Sequence, residues 1–471
     1  MDHEPRRKPN LVVAALGRVV VLLSLAFTLA SVHAAQPWRL QEHLGLPEWL
    51  RIDGNTRVFY ETMDDQFRVG GIGGDQLLTW RTMVKMTASA KNGYSLTGEL
   101  VDVRGALADT GTPLGTDDIN TLEPLQAYLG WQGKLGSGDE LDIRFGRQTM
   151  NLGARRFSAR NIFRSTINAF NGLRVRWERP EKISLNAFYF LPQQRRPTSP
   201  ASLLANRAAL DDENFNLQFW GVHNEFHNVW RGINLELQFY GLNEEDTPSR
   251  ATRNRSLYTP AIRFSRKPGV ERVDLDLESA IQIGESRATG AAGDTTDLNH
   301  LAHRHTLETG YTMDIPWNPR LALQYEYASG DDNAGDGDNN RFDTLFGVRR
   351  PGHGPTGIWG AFAHINVNSP GYRVTAKPRK DIQLMWSHRW YWLASDTDAW
   401  VPQGVLDPAG TSGRFIGHQM ETRIRWDAVP GNVRFETGGA HLFAGNFLRR
   451  APNANGQRDS TYGYFQVELT F

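Results

Sequence analysis

Residues 462–471 set Phe465, Val467, Leu469 and Phe471 on one face of an extended strand and Tyr464, Gln466, Glu468 and Thr470 on the other. A period of two marks a strand with one apolar and one polar face, and it recurs along the chain. In 78–88, Leu78, Trp80, Val84 and Met86 alternate with Thr79, Arg81, Lys85 and Thr87; in 125–132, Leu125, Ala127, Leu129 and Trp131 alternate with Gln126, Tyr128 and Gln132. Segment 233–240 opposes Ile233, Leu235, Leu237 and Phe239 to Asn234, Glu236, Gln238 and Tyr240, and 273–282 opposes Val273, Leu275, Leu277 and Ile281 to Asp274, Asp276, Glu278 and Gln282. In 382–392, Ile382, Leu384, Trp386, Trp390 and Trp392 stand against Gln383, Ser387, Arg389 and Tyr391. A soluble sandwich would show the same alternation, but from residue 54 onward there is no stretch of helical period to cover so many apolar faces. Hydrocarbon can cover them, provided the sheet closes and leaves no strand edge unpaired in lipid.

The other end of the sequence supports that solvent. Arg6, Arg7 and Lys8 precede an apolar run over 19–30, and Val32-His33-Ala34 or His33-Ala34-Ala35 fits a small-x-small cleavage rule. As a membrane anchor the run falls short of the roughly 20 residues a spanning helix needs. The expected organisation is a cleaved signal peptide over 1–35, a periplasmic lead-in over 36–53, and an all-β transmembrane antiparallel barrel over 54–471. Aperiodic stretches at 105–121, 153–165, 192–214, 329–356 and 395–413 are expected as long extracellular loops, while Gly136 to Asp139 and Glu178 to Glu181 read as short periplasmic hairpins. An apolar content of 39% is low for a conventional core and fits a wide barrel with a wet interior. Cysteine is absent, which removes disulfides, thiolate catalysis and Cys-ligated metals. Without the leader the chain carries 48 basic against 50 acidic residues, a balance that excludes wholesale attraction to nucleic acid.

Two segments carry a family resemblance. Gly146-Arg147-Gln148, followed by Gly153, Arg155 and Arg156 and then by Arg164-Ser165 and Phe170-Asn171-Gly172-Leu173-Arg174, resembles a signature of the alginate-export outer-membrane porin family. Tyr325-Glu326-Tyr327-Ala328-Ser329-Gly330-Asp331-Asp332, with Asp336 and then Arg341-Phe342-Asp343-Thr344-Leu345-Phe346, is similar to a second stretch of that family. Segments 123–128 and 416–421 add matches, whereas 166–169 and Asn171, where the family has Asp, depart from the pattern. The resemblance implies a monomeric barrel of about 18 strands in the outer membrane, whose basic lumen conducts an anionic polyuronate outwards from a periplasmic export assembly.

Arginine suits such a lumen because its planar fork pairs with carboxylates and stays ionised. With the polar faces inward, the candidate pore-lining bases are Arg81, Lys85, Arg144, Arg174, Arg176, Arg423, Arg425 and Arg434; Arg155, Arg156, Arg160 and Arg164 lie on a stretch that could fold into the pore. Inward acids are also plentiful, among them Glu99, Asp142, Glu236, Asp274, Asp276, Glu278, Glu326, Glu421 and Glu436, so a balanced cross-strand network is the competing reading. Asp331, Asp332, Asp336 and Asp338 offer oxygens for calcium, but their spacing misses the EF-hand pattern and a solvated loop is the simpler account. His300, His303 and His305 lack a matching carboxylate for zinc. Trp386, Trp390, Trp392 and Trp400 fit interfacial girdles, and Tyr128, Tyr240 and Tyr391 face the lumen as sugar-stacking candidates. No cofactor motif and no catalytic arrangement stands out. The expected function is passive export of an anionic polysaccharide; a diffusion porin for small organic anions is the alternative, and an outer-membrane hydrolase built on a serine and one of the three histidines is a more distant one.

Overall fold

The alternating segments form antiparallel strands: β1 (Leu50–Asp64), β2 (Asp75–Ser89), β3 (Tyr94–Ala106), β4 (Asn120–Lys134), β5 (Glu140–Gln148), β6 (Phe170–Arg179), β7 (Ile183–Pro192), β8 (Leu217–Trp230), β9 (Ile233–Glu244), β10 (Ser256–Arg266), β11 (Val273–Ser286), β12 (Leu298–Thr312), β13 (Arg320–Ala328), β14 (Asp338–Asn339), β15 (Val367–Arg379), β16 (Ile382–Trp392), β17 (Phe415–Val429), β18 (Val433–Ala444) and β19 (Ser460–Thr470). The structure, a computed structural model, describes residues 37–471 apart from 110, 137, 249, 402 and 455–458. The leader read over 1–35 therefore lies outside the described residues. β14 is a two-residue segment on β12, and the other 18 strands pair in chain order. β1 pairs with β19 as well as with β2, so the sheet closes into a barrel. At the seam Gly54 and Phe471 exchange both backbone hydrogen bonds at 3.0 Å.

Connections alternate in length. Turns such as 90–93, 180–182, 231–232 and 380–381 lie at one rim, and loops 107–119, 149–169, 193–216, 329–366 and 393–414 at the other. This places the short rim in the periplasm and the long loops outside. β1 begins at Leu50, inside the segment read as lead-in, after one helical turn at Leu40–His43.

The outer face is apolar as the alternation requires: Val58, Trp80, Val84, Leu237, Phe239, Leu277, Ile281, Leu323 and Leu469 are all exposed there. Leu125 departs from the expected parity. The pairing of β3 with β4 shifts register between Glu99 and Leu100, and the resulting bulge turns Leu125 inward onto Met83, Val101 and Val103.

The interior corrects the expectation of a wet bore. In the extracellular half, loop residues Phe67, Phe157, Phe342, Ile358, Trp359, Phe362, Trp400 and Phe447 pack against strand residues Phe59, Phe170, Phe190, Phe219, Tyr240, Leu242, Leu257, Tyr391 and Tyr462 in one dry core. Phe362 stacks on Tyr391 with ring centroids 3.4 Å apart. Each such side chain contributes roughly 1.5–3 kcal/mol on burial, so thermal motion alone will not empty this half. Trp400 is therefore a core residue and no girdle, unlike Trp386, Trp390 and Trp392 on the outer face of β16 beside Tyr372 and Phe415. Tyr240 and Tyr391 are buried under Phe157 and Phe362 and present no open face to a sugar.

Gly146 and Gly172 stand opposite each other in the β5–β6 register with φ of 123° and 155°. A Cβ on Gly172 would meet Tyr189 O at 2.1 Å, and one on Gly146 would meet Ala127 O at 2.4 Å. Gly172→Val is expected to destabilise the barrel by roughly 1–3 kcal/mol. The measurement is the temperature at which the compact, heat-resistant band is lost on gels, and an unshifted transition would contradict the assigned close approach.

Candidate functional site

Two loops turn into the lumen and divide it. Loop 149–169 carries Leu152 and Phe157 into the dry core, while Arg57 and Arg81 reach from β1 and β2 to hold its far end. Arg57 Nη1 donates to the carbonyls of Ile162 (3.2 Å) and Phe163 (2.7 Å), and Arg81 Nη1 to those of Ile162 (3.2 Å), Arg164 (3.3 Å) and Ser165 (3.2 Å). Loop 329–366 crosses the first, with Ala159 N donating to Phe346 O at 3.1 Å and Val348 N to Arg155 O at 3.0 Å.

On the periplasmic side of these loops lies a cavity of about 400 Å³ lined by seven arginines, Arg57, Arg155, Arg350, Arg373, Arg423, Arg425 and Arg434, against two glutamates, Glu436 and Glu468. Arg425 pairs with Glu436 at 2.7 Å, Arg434 with Asp427 at 2.6 Å and Arg350 with Glu421. Arg155 and Arg423 have no carboxylate within ion-pair distance among the described residues. An adjoining cavity of about 320 Å³ shares Arg155, Val348, Pro351 and Arg373 and adds Arg156, Arg263, Glu326, His364 and Arg389. On the other side of Asn161 a third cavity of about 340 Å³ is lined by Asp117, Asp118, Arg164, Arg349 and Thr356.

The structure thus brings four of the candidate bases together, Arg155, Arg423, Arg425 and Arg434, and disperses the rest. Lys85 and Arg144 line a separate recess at the periplasmic rim, where Lys85 pairs with Asp53 at 3.4 Å and Arg144 pairs with Asp142 and lies over the Tyr128 ring. Arg174 donates to Asn186 and Arg176 pairs with Glu178. Arg81 is 1% exposed and spent on loop carbonyls. Arg156 pairs with Asp276 (3.0 Å), Arg160 with Glu99 (2.7 Å) and Arg164 with Asp117 (2.8 Å), each fastening the loop rather than standing free. Arg57 and Arg373 were legible from strand parity; Arg350 sits on an irregular loop with no periodic mark.

The balanced network is present beside the cavity. His223 lies 2.9 Å from Glu236, Glu236 pairs with Arg263, Arg263 with Asp276 (2.8 Å), Arg156 with Asp276 (3.0 Å) and Glu278 (3.5 Å), and Arg304 with Glu278 (3.8 Å) and Glu326 (3.0 Å). Acid and base alternate along the wall of β9–β13, with loop residue Arg156 spliced into the middle.

The remaining constellations separate. His300 is buried between Ser286 (3.0 Å) and Gln282 (3.0 Å), whereas His303 and His305 contact each other at 3.1 Å on the outer face. The Ser286–His300 pair is 1% and 3% exposed and lacks a carboxylate orienter. Asp331, Asp332, Asp336 and Asp338 do not converge: Asp331 N donates to Asp398 (2.9 Å), Asp336 accepts from Asp338 N (2.9 Å), and Asp338 faces Asn299 (3.2 Å). Among the described residues the only group with metal-ligand spacing is Glu326, His353 and His364.

Burial, reinforced by the neighbouring Asp117 charge, pushes the Asp118 carboxyl up to about 7 from 3.8. A raised carboxyl favours the packed loop while protonated, so this stabilisation is full below about pH 4 and is lost as pH rises through about 7. Amide protons of 114–119 are expected to exchange more slowly, after correction for intrinsic rate, at about pH 5 than at about pH 8. Asp118→Asn should erase the difference; its persistence in that variant would reject the assignment.

Among solved structures the chain is similar to Acinetobacter baumannii OccAB3 (11% identity, TM-score 0.55, covering 90% of this chain and 99% of that one). It is also similar to Pseudomonas aeruginosa OccD3 (OpdP) (12%, 0.55, 95% and 98%) and to Pseudomonas aeruginosa OpdK, solved with vanillate (12%, 0.55, 90% and 98%). Identities this low speak to the barrel fold alone. No curated protein matches the sequence. The alginate export family matches residues 47–461, nearly the whole described chain. A closed 18-strand barrel with an apolar girdle, an inward arginine cavity and that match together make the chain a member of the alginate export family, an outer-membrane channel by fold and location.

Proposed function

We propose that this channel conducts an anionic polysaccharide, an alginate-like polyuronate, passively outwards, with no catalytic step. The observation that carries this reading is the cavity in which seven arginines face two glutamates. A carboxylate entering it meets Arg155 and Arg423 without having to displace a protein carboxylate. The flanking ion pairs supply weak, repeated contacts, which a polyanion needs if it is to move rather than stick. The protein would act as a monomer that receives its cargo from a periplasmic export assembly. A second reading, diffusion of small organic anions, is favoured by one observation: a cavity of about 400 Å³ behind a dry outer half accommodates a single small carboxylate more readily than a chain.

Planar-bilayer recordings distinguish the readings. Arg155→Gln/Arg423→Gln is expected to shift the reversal potential towards equal anion and cation permeability, and more so than Arg174→Gln/Arg176→Gln, while both variants keep the heat-resistant band. An unchanged reversal potential would reject the arginine cavity as the selectivity element. Polyuronate added to the periplasmic side should produce resolved blockades that monomeric uronate does not; the converse result favours small anions.

A further inference from the structure

The alternating wall network runs from His223 beside Glu236 at one end to Glu326 at the other. Arg263, Arg156 and Arg304 bridge its carboxylates Glu236, Asp276, Glu278 and Glu326. At the Glu326 end two histidines converge from the loop between β13 and β15, His353 from the helical turn Arg350–His353 and His364 eleven residues further on. One ligand atom from each of Glu326, His353 and His364 lies within 4.8 Å of the other two.

The hydrogen bonds define which atoms are available. His364 Nε2 donates to Val348 O at 3.2 Å, which leaves Nδ1 as the nitrogen with the lone pair. That nitrogen faces Glu326 Oε1, with Arg304 Nη2 3.3 Å away. His353 is 2% exposed; its Nε2 lies 3.3 Å from Glu326 Oε2, and neither of its ring nitrogens makes a hydrogen bond. A lone pair aimed at a carboxylate oxygen is repelled unless positive charge lies between them. An imidazole anchored through its far nitrogen to a backbone carbonyl, as His364 is to Val348 O, is the usual surrounding of a metal ion. Arg304 Nε donates at 3.0 Å to Glu326 Oε1, the oxygen that His364 faces, and Oε2 is left turned towards His353.

We propose that Glu326, His353 and His364 bind one divalent cation, zinc by the character of its donors, two neutral imidazoles and a carboxylate. Glu326 and His364 line the 320 Å³ cavity, which gives the ion its route from the lumen. Bound there, it would set positive charge between the two imidazoles and Glu326 and clamp both ends of 353–364 to β13.

The test is metal content of the untagged full-length protein, equilibrated with zinc and dialysed against metal-free buffer. About one zinc per chain is expected. Removal of either histidine, as His353→Gln or His364→Gln, should weaken retention by at least about 10–100-fold. His303→Gln, which alters the outward His303–His305 pair, should retain the ion. X-ray absorption on the wild type, which needs no variant to fold, should show imidazole nitrogen and carboxylate oxygen at about 2.0–2.1 Å. A wild type without zinc, a shell lacking histidine, or zinc lost only from the outward variant would each overturn the site.

Discussion

In hydrocarbon an unpaired backbone amide costs several kcal/mol, and pairing β1 with β19 removes the two edges this sheet would otherwise expose. Everything within the barrel depends on that closure. A closed wall with lipid outside turns alternate side chains into a lumen whose content is free to differ from any soluble core. In this chain the lumen is partitioned: an apolar, aromatic extracellular half and a charged periplasmic half, with two loops as the floor between them.

The charged half is both a network and a cavity, and the difference lies in the partners. Along β9–β13 each guanidinium is shared between carboxylates, which rigidifies the wall and holds Arg156 of the first loop. Across from it, Arg57, Arg155 and Arg423 lack such partners and are paired with carbonyls or with none, so positive potential remains for a solute. An exposed ion pair is worth little, but breaking a buried one strands a charge, so the networked side stays fixed while the cavity side can exchange its contacts.

Much of the barrel was legible because lipid imposes the simplest of codes, one residue in and the next out. Segment 233–240 and segment 273–282 fold with the faces their residues dictate. Leu125 broke the code because a bulge adds one residue to β4 and reverses parity with no local mark beyond Pro124. Trp400 was misplaced, and Tyr240 and Tyr391, which do face inward, are closed to a sugar, for a different reason: their burial is made by loops distant in sequence, and periodicity carries no information about loops that fold back. The same limit hid Arg350, His353 and His364, whereas Arg57 and Arg373 sit on strands where alternation would have revealed them.

Wall arginines grip loop 149–169 at Ile162 and Phe163 by main-chain oxygens, with the Ser165 hydroxyl as a further acceptor. Ile162 is 44% exposed and projects into the arginine-lined space with its own side chain uncommitted. Substitutions at that position would leave the grip untouched while altering the aperture. Drift at a single codon is thus a route by which relatives of this barrel can diverge in the calibre of what they admit without rebuilding the scaffold.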